Sequence, residues 1–262
     1  VKNNSYFLKN NKSYISSNKQ KIPILESKLN NKHKLKCGIS WLSVNRTIGL
    51  AKSLTLDDLK PILSIPNITF IDLQYNDTKK EREKFYNKTG ITIIKINDLD
   101  NFKDIDGVIS LIDVCDFVIT ISNSNAHFSG ALGKETFLLL PKGKGKLWYW
   151  TSSNNKSIWY PSVEIIEQEE PGSWDKAIKR LEQKNTELNR ALISGEGEQD
   201  NQNLEKIGKN IIFSGKVVKD IPSKDLRTFV DNIKKQNKNV IAVLLSKIGT
   251  KVQIAVGISD TL

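Results

Sequence analysis

Methionine is absent from this 262-residue chain, cysteine and histidine occur twice each, and no apolar run approaches the roughly 18 residues of a membrane-spanning helix. A helical membrane span is therefore not expected. Nor does a charged-then-apolar signal peptide open the sequence. Two cysteines cannot make a disulfide scaffold. Cys37 and Cys115 both sit in apolar runs, which suits buried thiols in a reducing, cytoplasmic compartment, with a single bridge as the alternative. No metal-ligand signature is present, so neither a metal nor a cofactor is expected. Without a methionine, Val1 is expected to be an internal position of a longer protein.

What the chain has in excess is positive charge. Forty Lys and Arg stand against 29 Asp and Glu, a net charge of +11. The excess is uneven, since residues 1–60 hold twelve basic residues and three acidic ones. Such a balance can mark a nucleic-acid or acidic-lipid partner. Here nearly all the cations are lysines interleaved with asparagine and isoleucine, and biased composition is the simpler reading of the first 60 residues.

Short apolar runs alternate with helical patterns from residue 34 onward. "KLKCGISW" (34–41), "NITFIDLQY" (67–75), "ITIIKI" (91–96), "DFVITIS" (116–122), "TFLLLP" (136–141) and "VEIIEQ" (163–168) read as strands. Between them, "TLDDLKPIL" (55–63) reads as a helix capped by Thr55, "TKKEREKFYNKTG" (78–90) as a charged helix ending at a glycine, and "FKDIDGVISLIDVC" (102–115) as an apolar helix. "AHFSGALG" is a short helix and 173–193 a long one. This alternation is the βαβ signature, and right-handed crossovers make it a doubly wound, Rossmann-like parallel sheet. Residues 1–33 read as a Lys/Asn/Ser-rich connector, 34–180 as the Rossmann-like domain, 181–205 as helix and polar linker. A small α+β domain fills 206–262, with strands at 210–218, 239–246 and 251–259. Its helix carries Leu226, Phe229, Val230 and Ile233 as an apolar stripe.

The stretch "SNSNAHFSGALGKETFLLLP" (122–141) is the strongest candidate for chemistry. Open α/β sheets bind ligands beyond the carboxyl ends of their strands. A helix start there offers N–H groups and a positive dipole end to an anion. Ser122, Asn123, Ser124 and Asn125 add short polar side chains, and His127 falls in the first turn, able to donate to a diphosphate oxygen. Gly130 and Gly133 permit close packing of the helix. The plain alternative is that Ser and Asn merely cap the helix and His127 is a core residue. A P-loop is excluded, because Phe128 and Glu135 stand where that motif needs Gly and Ser or Thr.

"CGISWLSVN" (37–45), "KSLTLDDLKPIL" (52–63), "FIDLQYND" (70–77), "DFVITISNSNAHFSGALGKETFLLLP" and "LWYW…SIWYPSVEIIEQEEPGSW" (147–174) follow one another in that order. Together they resemble the C-terminal half of the bacterial glycosyltransferases that often carry tetratricopeptide repeats, relatives of the heptosyltransferases. The resemblance covers roughly residues 14–180. It implies a GT-B enzyme that transfers a sugar from a nucleotide-diphosphate donor held mainly by this half. By the same resemblance Asn123, Ser124, Asn125, His127 and Gly130 would form the donor diphosphate site. Lys52 would offset phosphate charge, and Gln74 would face the nucleotide. Trp148, Trp150, Trp159 and Tyr160 read as loop and core anchors rather than sugar platforms. One departure stands out: Leu42 occupies the place after "GISW" where the family commonly has a basic residue.

From "LEQKNTELNRAL" through "IIFSGKVVKDIPSKDLRTFVDNIKKQNKNVIAVLLSKIGTKVQIAVGISDTL" the chain resembles a different family. It looks like the C-terminal region of alanyl-tRNA synthetase, with a truncated DHHA1-type domain. That resemblance implies tRNA as a partner, with Lys219, Lys224 and Arg227 as contacts. From charge alone a solvated helix face is the favoured reading of these residues, and with the resemblance the two readings stand level. Two pieces of unrelated families joined within a helix suggest a partial or chimeric reading frame.

Overall fold

Strand order decides where this molecule can hold a ligand. The computed structural model describes residues 13–29, 34–194, 204–207, 211–219, 226–227, 230–231, 233–234, 238–248 and 251–259. Two compact units divide the chain, Val1–Thr186 and Glu187–Leu262.

The first unit is built on strands β1 (Leu35–Ser40), β2 (Ile68–Asp72), β3 (Ile93–Ile94), β4 (Phe117–Ile121), β5 (Thr136–Leu140), β6 (Ser152–Ser153), β7 (Lys156–Ser157) and β8 (Val163–Glu167). Its helices are α1 (Lys21–Lys28), α2 (Gly49–Lys52), α3 (Lys60–Leu63), α4 (Lys79–Thr89), α5 (Ile105–Val114), α6 (Ser124–Leu132) and α7 (Asp175–Ser194). The sheet runs β3-β2-β1-β4-β5-β8-β7-β6. Its first six strands are parallel, and β7 and β6 are antiparallel additions at one edge. The chain winds outward from β1 to β3, then returns to start β4 on the other side of β1. That reversal between β1 and β4 is the topological switch point of a doubly wound, Rossmann-like sheet. Every residue of β2, β4 and β5 is buried, as near-continuous apolar strands require when both sheet faces are covered.

Caps and breakers in the sequence set several boundaries. Asp104 caps α5 by accepting from the Gly107 N–H at 2.8 Å, and α4 stops at Gly90 in the left-handed region (φ 73°). Val108, Leu111, Ile112 and Val114 of α5 form a core with Ile71, Leu73 and Val118 of the sheet. The basic opening segment contributes to that core through Leu25 within α1 and Leu29 just beyond its end. Lys21 holds the same place from the outside, pairing with Asp104 at 2.8 Å.

Two elements differ from the sequence expectation. The helix expected over 55–63 is reduced to α3. Thr55 and Asp58 instead close a turn, the Asp58 carboxylate taking the Thr55 N–H at 2.7 Å and the Asp58 N–H meeting Thr55 Oγ1 at 3.2 Å. Pro61 has no N–H, so a continuous helix would lose a bond there, and the proline sits instead in the first turn of α3. The six-residue strand expected at 91–96 pairs only at Ile93 and Ile94, because it lies at the sheet edge with β2 as its one partner.

The second unit is a mixed sheet, β9 (Leu204–Ile207), β10 (Ile211–Lys219), β11 (Val240–Ile248) and β12 (Lys251–Ile258), in the order β12-β11-β10-β9. Only β10 and β11 are parallel. The described residues between 226 and 234 are helical, and Leu226, Val230 and Ile233 pack on Ala242, Leu244 and Ala255. A Cβ placed on Gly257 would lie 2.1 Å from Val230 Cγ1, so only glycine lets the helix come this close to β12. The opposite face of β12 is open: Val252, Ile254, Val256 and Ile258 are each more than half exposed.

Candidate functional site

Three loops leave the carboxyl ends of β1, β2 and β4 side by side, because Ile39 pairs with Asp72 and Ser40 with Thr120. Gln74 ties the first two together. Its amide oxygen accepts from Ser40 Oγ at 2.8 Å, Trp41 N at 2.8 Å and Leu42 N at 3.0 Å. Its amide nitrogen donates to the Leu42 carbonyl at 3.1 Å and to Asn76 Oδ1 at 2.6 Å. The side chain is completely buried. The Gln74 amide, expected to face a nucleotide, is thus engaged at both ends within the protein. It carries the polar groups of a loop that has left the sheet ladder and would otherwise be buried unpaired.

Asn123 and Asn125 are occupied in the same way. Asn123 has the extended backbone of an N-cap, and its side-chain oxygen accepts from the Asn125 N–H at 3.0 Å and Thr120 Oγ1 at 3.1 Å. Its amide nitrogen donates to Ser40 Oγ at 2.6 Å. Asn125 donates to the Leu73 carbonyl at 3.0 Å. Both side chains tie α6 to the ends of β1 and β2. Ser124 between them is exposed. At Gly130 a Cβ would lie 2.5 Å from Cγ of Tyr160, so the absent side chain lets that ring rest on α6.

Lys52 closes the other side of the helix start. At 6% exposure its ammonium reaches across from α2 and donates to the Ser122 carbonyl at 2.5 Å. Among the described residues no carboxylate pairs with it. Burial pushes its pKa below the usual lysine range. Leu42 adds no charge here, and Lys52 is a cation at this end of β1 and β4.

His127 sits half-buried one turn into α6. Its ring stacks on Trp150 at 4.8 Å between centroids and meets Tyr160 edge-on at 5.8 Å. Nδ1 is 3.0 Å from the Tyr160 hydroxyl, a phenol that burial keeps protonated. Which of the two donates follows the imidazole tautomer: Nδ1–H gives its proton to the hydroxyl oxygen in one, and the hydroxyl donates to Nδ1 in the other. Burial, and then the Lys52 charge, hold the imidazole below its usual pKa. The two groups are thus close enough to sense one another across the start of α6.

The loop after β5 supplies the remaining wall. Trp150 is buried and donates from Nε1 to Ser122 Oγ at 2.8 Å. Tyr149 places its ring 5.4 Å from that of His127. Trp159 donates to the Tyr149 carbonyl at 2.9 Å. Trp150 and Tyr160 are anchors, as expected. Trp148 is not, since 81% of it is exposed. Sequence reasoning passed over Tyr149. The available signal was the aromatic run "LWYW" just beyond a buried strand, where side chains reach the switch-point end.

Of the three residues expected to contact tRNA, Lys219 closes β10 and Arg227 is exposed on the helix of the second unit. Lys224 lies outside the described residues. Cys37 and Cys115 are buried free thiols, the latter pushed up to about 12 by burial, so neither is a nucleophile at neutral pH. No described helix is long and apolar enough to cross a membrane.

No protein-family model matches the chain. Among curated proteins it is similar to Protein FlbA of Caulobacter vibrioides, 29% identical over 148 residues, which is 56% of this chain and 24% of FlbA. The chain thus spans about a quarter of that relative's length. Among solved structures it is similar to Escherichia coli ADP-heptose LPS heptosyltransferase II, with a TM-score of 0.46 and 12% identity, over 70% of this chain and 54% of that one.

Proposed function

We propose that the first unit is the donor-binding part of a glycosyltransferase and that the start of α6 holds the diphosphate of a nucleotide sugar. One observation carries this reading. Lys52 is a buried ammonium bonded to a carbonyl, with no described carboxylate, at the switch point of a parallel sheet. Burying a cation without a counter-charge is costly, and an anionic ligand would offset that cost. The positive end of α6 lies here too, with the exposed Ser124 and the His127 ring in its first turn. The ordered motifs of residues 37–174 support sugar transfer as the use of that site.

In such a reaction the bond from the sugar's anomeric carbon to the diphosphate oxygen breaks, and negative charge grows on the departing nucleoside diphosphate. Lys52 and the helix start are preorganised to stabilise that charge, and His127 can donate a hydrogen bond to the leaving oxygen. The Ser40–Gln74–Asn123 network keeps these groups in place without touching the ligand.

Hydrogen exchange of the full chain tests the reading. Millimolar UDP or ADP is expected to slow exchange over residues 122–130. Lys52→Met keeps the length and removes the charge. It should weaken nucleoside diphosphate binding at least about tenfold, the scale of a lost charge-assisted bond. Because the charge is a liability in the free protein, the melting temperature should not fall. A folded wild-type sample with no protection, or a Lys52→Met protein that binds as the wild type does, would refute the proposal.

A further inference from the structure

We infer that the nucleotide's base stacks on Trp148, which makes this exposed indole the nucleoside-recognising element of the site. The inference rests on the diphosphate reading above and adds to it. Trp148 belongs to a loop whose other side chains are committed. Leu147 packs on the core, Trp150 is buried, and the Trp150 N–H bonds to the Leu147 carbonyl at 3.0 Å. Tyr149 is held at its carbonyl by Trp159. At the base of the loop, a methyl on Gly145 would lie 3.3 Å from Cβ of Ala51, so the turn is seated against α2. The indole is therefore presented to solvent from a braced backbone while contributing little burial of its own.

Its position suits a base better than a sugar. Two ring-to-ring steps lead outward from the anion site: His127 to Tyr149, 5.4 Å, and Tyr149 to Trp148, 5.8 Å with the rings edge-on at 80°. In a nucleoside diphosphate the ribose sits between the phosphates and the base, so the base lies beyond the group that meets the diphosphate. The transferred sugar is bonded directly to the terminal phosphate and would lie beside His127, short of the indole. An aromatic face open to solvent is a stacking platform of the kind that gains affinity from any base, since every base has a π-face.

Calorimetric titration of the full chain with UDP, ADP and inorganic pyrophosphate tests this. Trp148→Ala should weaken both nucleoside diphosphates about tenfold or more and leave pyrophosphate unchanged, and Trp148→Tyr should restore most of the loss. Nucleoside diphosphates should change the tryptophan fluorescence more than pyrophosphate does, and that excess should vanish in Trp148→Ala. The inference is overturned if Trp148→Ala leaves nucleoside diphosphate affinity intact, or weakens pyrophosphate equally. It is also overturned if only a nucleotide sugar, and not the free nucleoside diphosphate, senses the substitution, because the indole would then face the sugar. Wild-type protein that binds pyrophosphate as tightly as UDP and ADP would remove the base contact and leave the diphosphate site standing. Protein that binds none of the three would remove both.

Discussion

His127 shows how one residue's surroundings set its chemistry. An imidazole enclosed by Trp150, Tyr149 and Tyr160, with a buried ammonium nearby, resists protonation. Its folded pKa lies below the ordinary 6.5. Above that pH both folded and unfolded chains leave the ring neutral, and it contributes nothing to the pH dependence of stability. As the pH falls below 6.5, the unfolded chain takes up a proton that the folded chain refuses, and stability drops until the folded pKa is reached. Replacing His127 by Gln should flatten this part of the stability profile, read from melting temperatures across that range. A bound diphosphate reverses the local charge and favours the imidazolium, so binding near neutral pH should take up protons. Titration calorimetry in buffers of different ionisation enthalpy measures that uptake. Zero uptake would mean that the phosphate lies away from the ring.

At the scale of elements, the site is a junction of three strand ends, and its polar side chains mostly serve the junction. Gln74 takes the Ser40 hydroxyl and the N–H groups of Trp41 and Leu42. Gln74→Leu would leave those donors buried and unpaired, each costing about 1–3 kcal/mol, with partial compensation as the loop relaxes. A loss of about 2–4 kcal/mol in urea denaturation is expected. Mutant protein as stable as the wild type would show that water replaces the amide and that the bracket is dispensable. The same logic separates neighbours in one short stretch. Asn123 and Asn125 hold α6 in place, whereas Ser124 and His127 remain available.

The whole molecule joins two units of different construction. The first buries its sheet on both faces. The second covers one face with a helix and leaves Val252, Ile254, Val256 and Ile258 of β12 exposed on the other. Their cross-strand partners Leu245, Val243 and Ile241 continue the same face. A contiguous apolar surface of this kind binds apolar dyes. The native chain should therefore enhance the fluorescence of 8-anilinonaphthalene-1-sulfonate, and the double substitution Ile254→Lys, Val256→Lys should remove at least about half of the signal. An unchanged signal would place the dye elsewhere.

Much of this was legible in the sequence, because the physics is local. Alternating apolar runs and helical stripes determine a parallel α/β sheet. Gly90 and Asp104 set helix ends through backbone freedom and capping. The strand–helix junction at 122–127 marks the ligand end of the sheet. Side-chain commitments were not legible, because they depend on which strand ends become neighbours. Gln74 became a bracket only when β1 and β2 paired in register. Tyr149 reached His127 only when the loop after β5 folded back over α6. Lys52 became a buried, uncompensated charge only when α2 closed over Ser122. Composition and periodicity determined the scaffold and the end of it that can bind. Tertiary structure alone decided which polar groups are consumed in building that end and which are left for a ligand, since only long-range packing brings donors and acceptors from distant segments together.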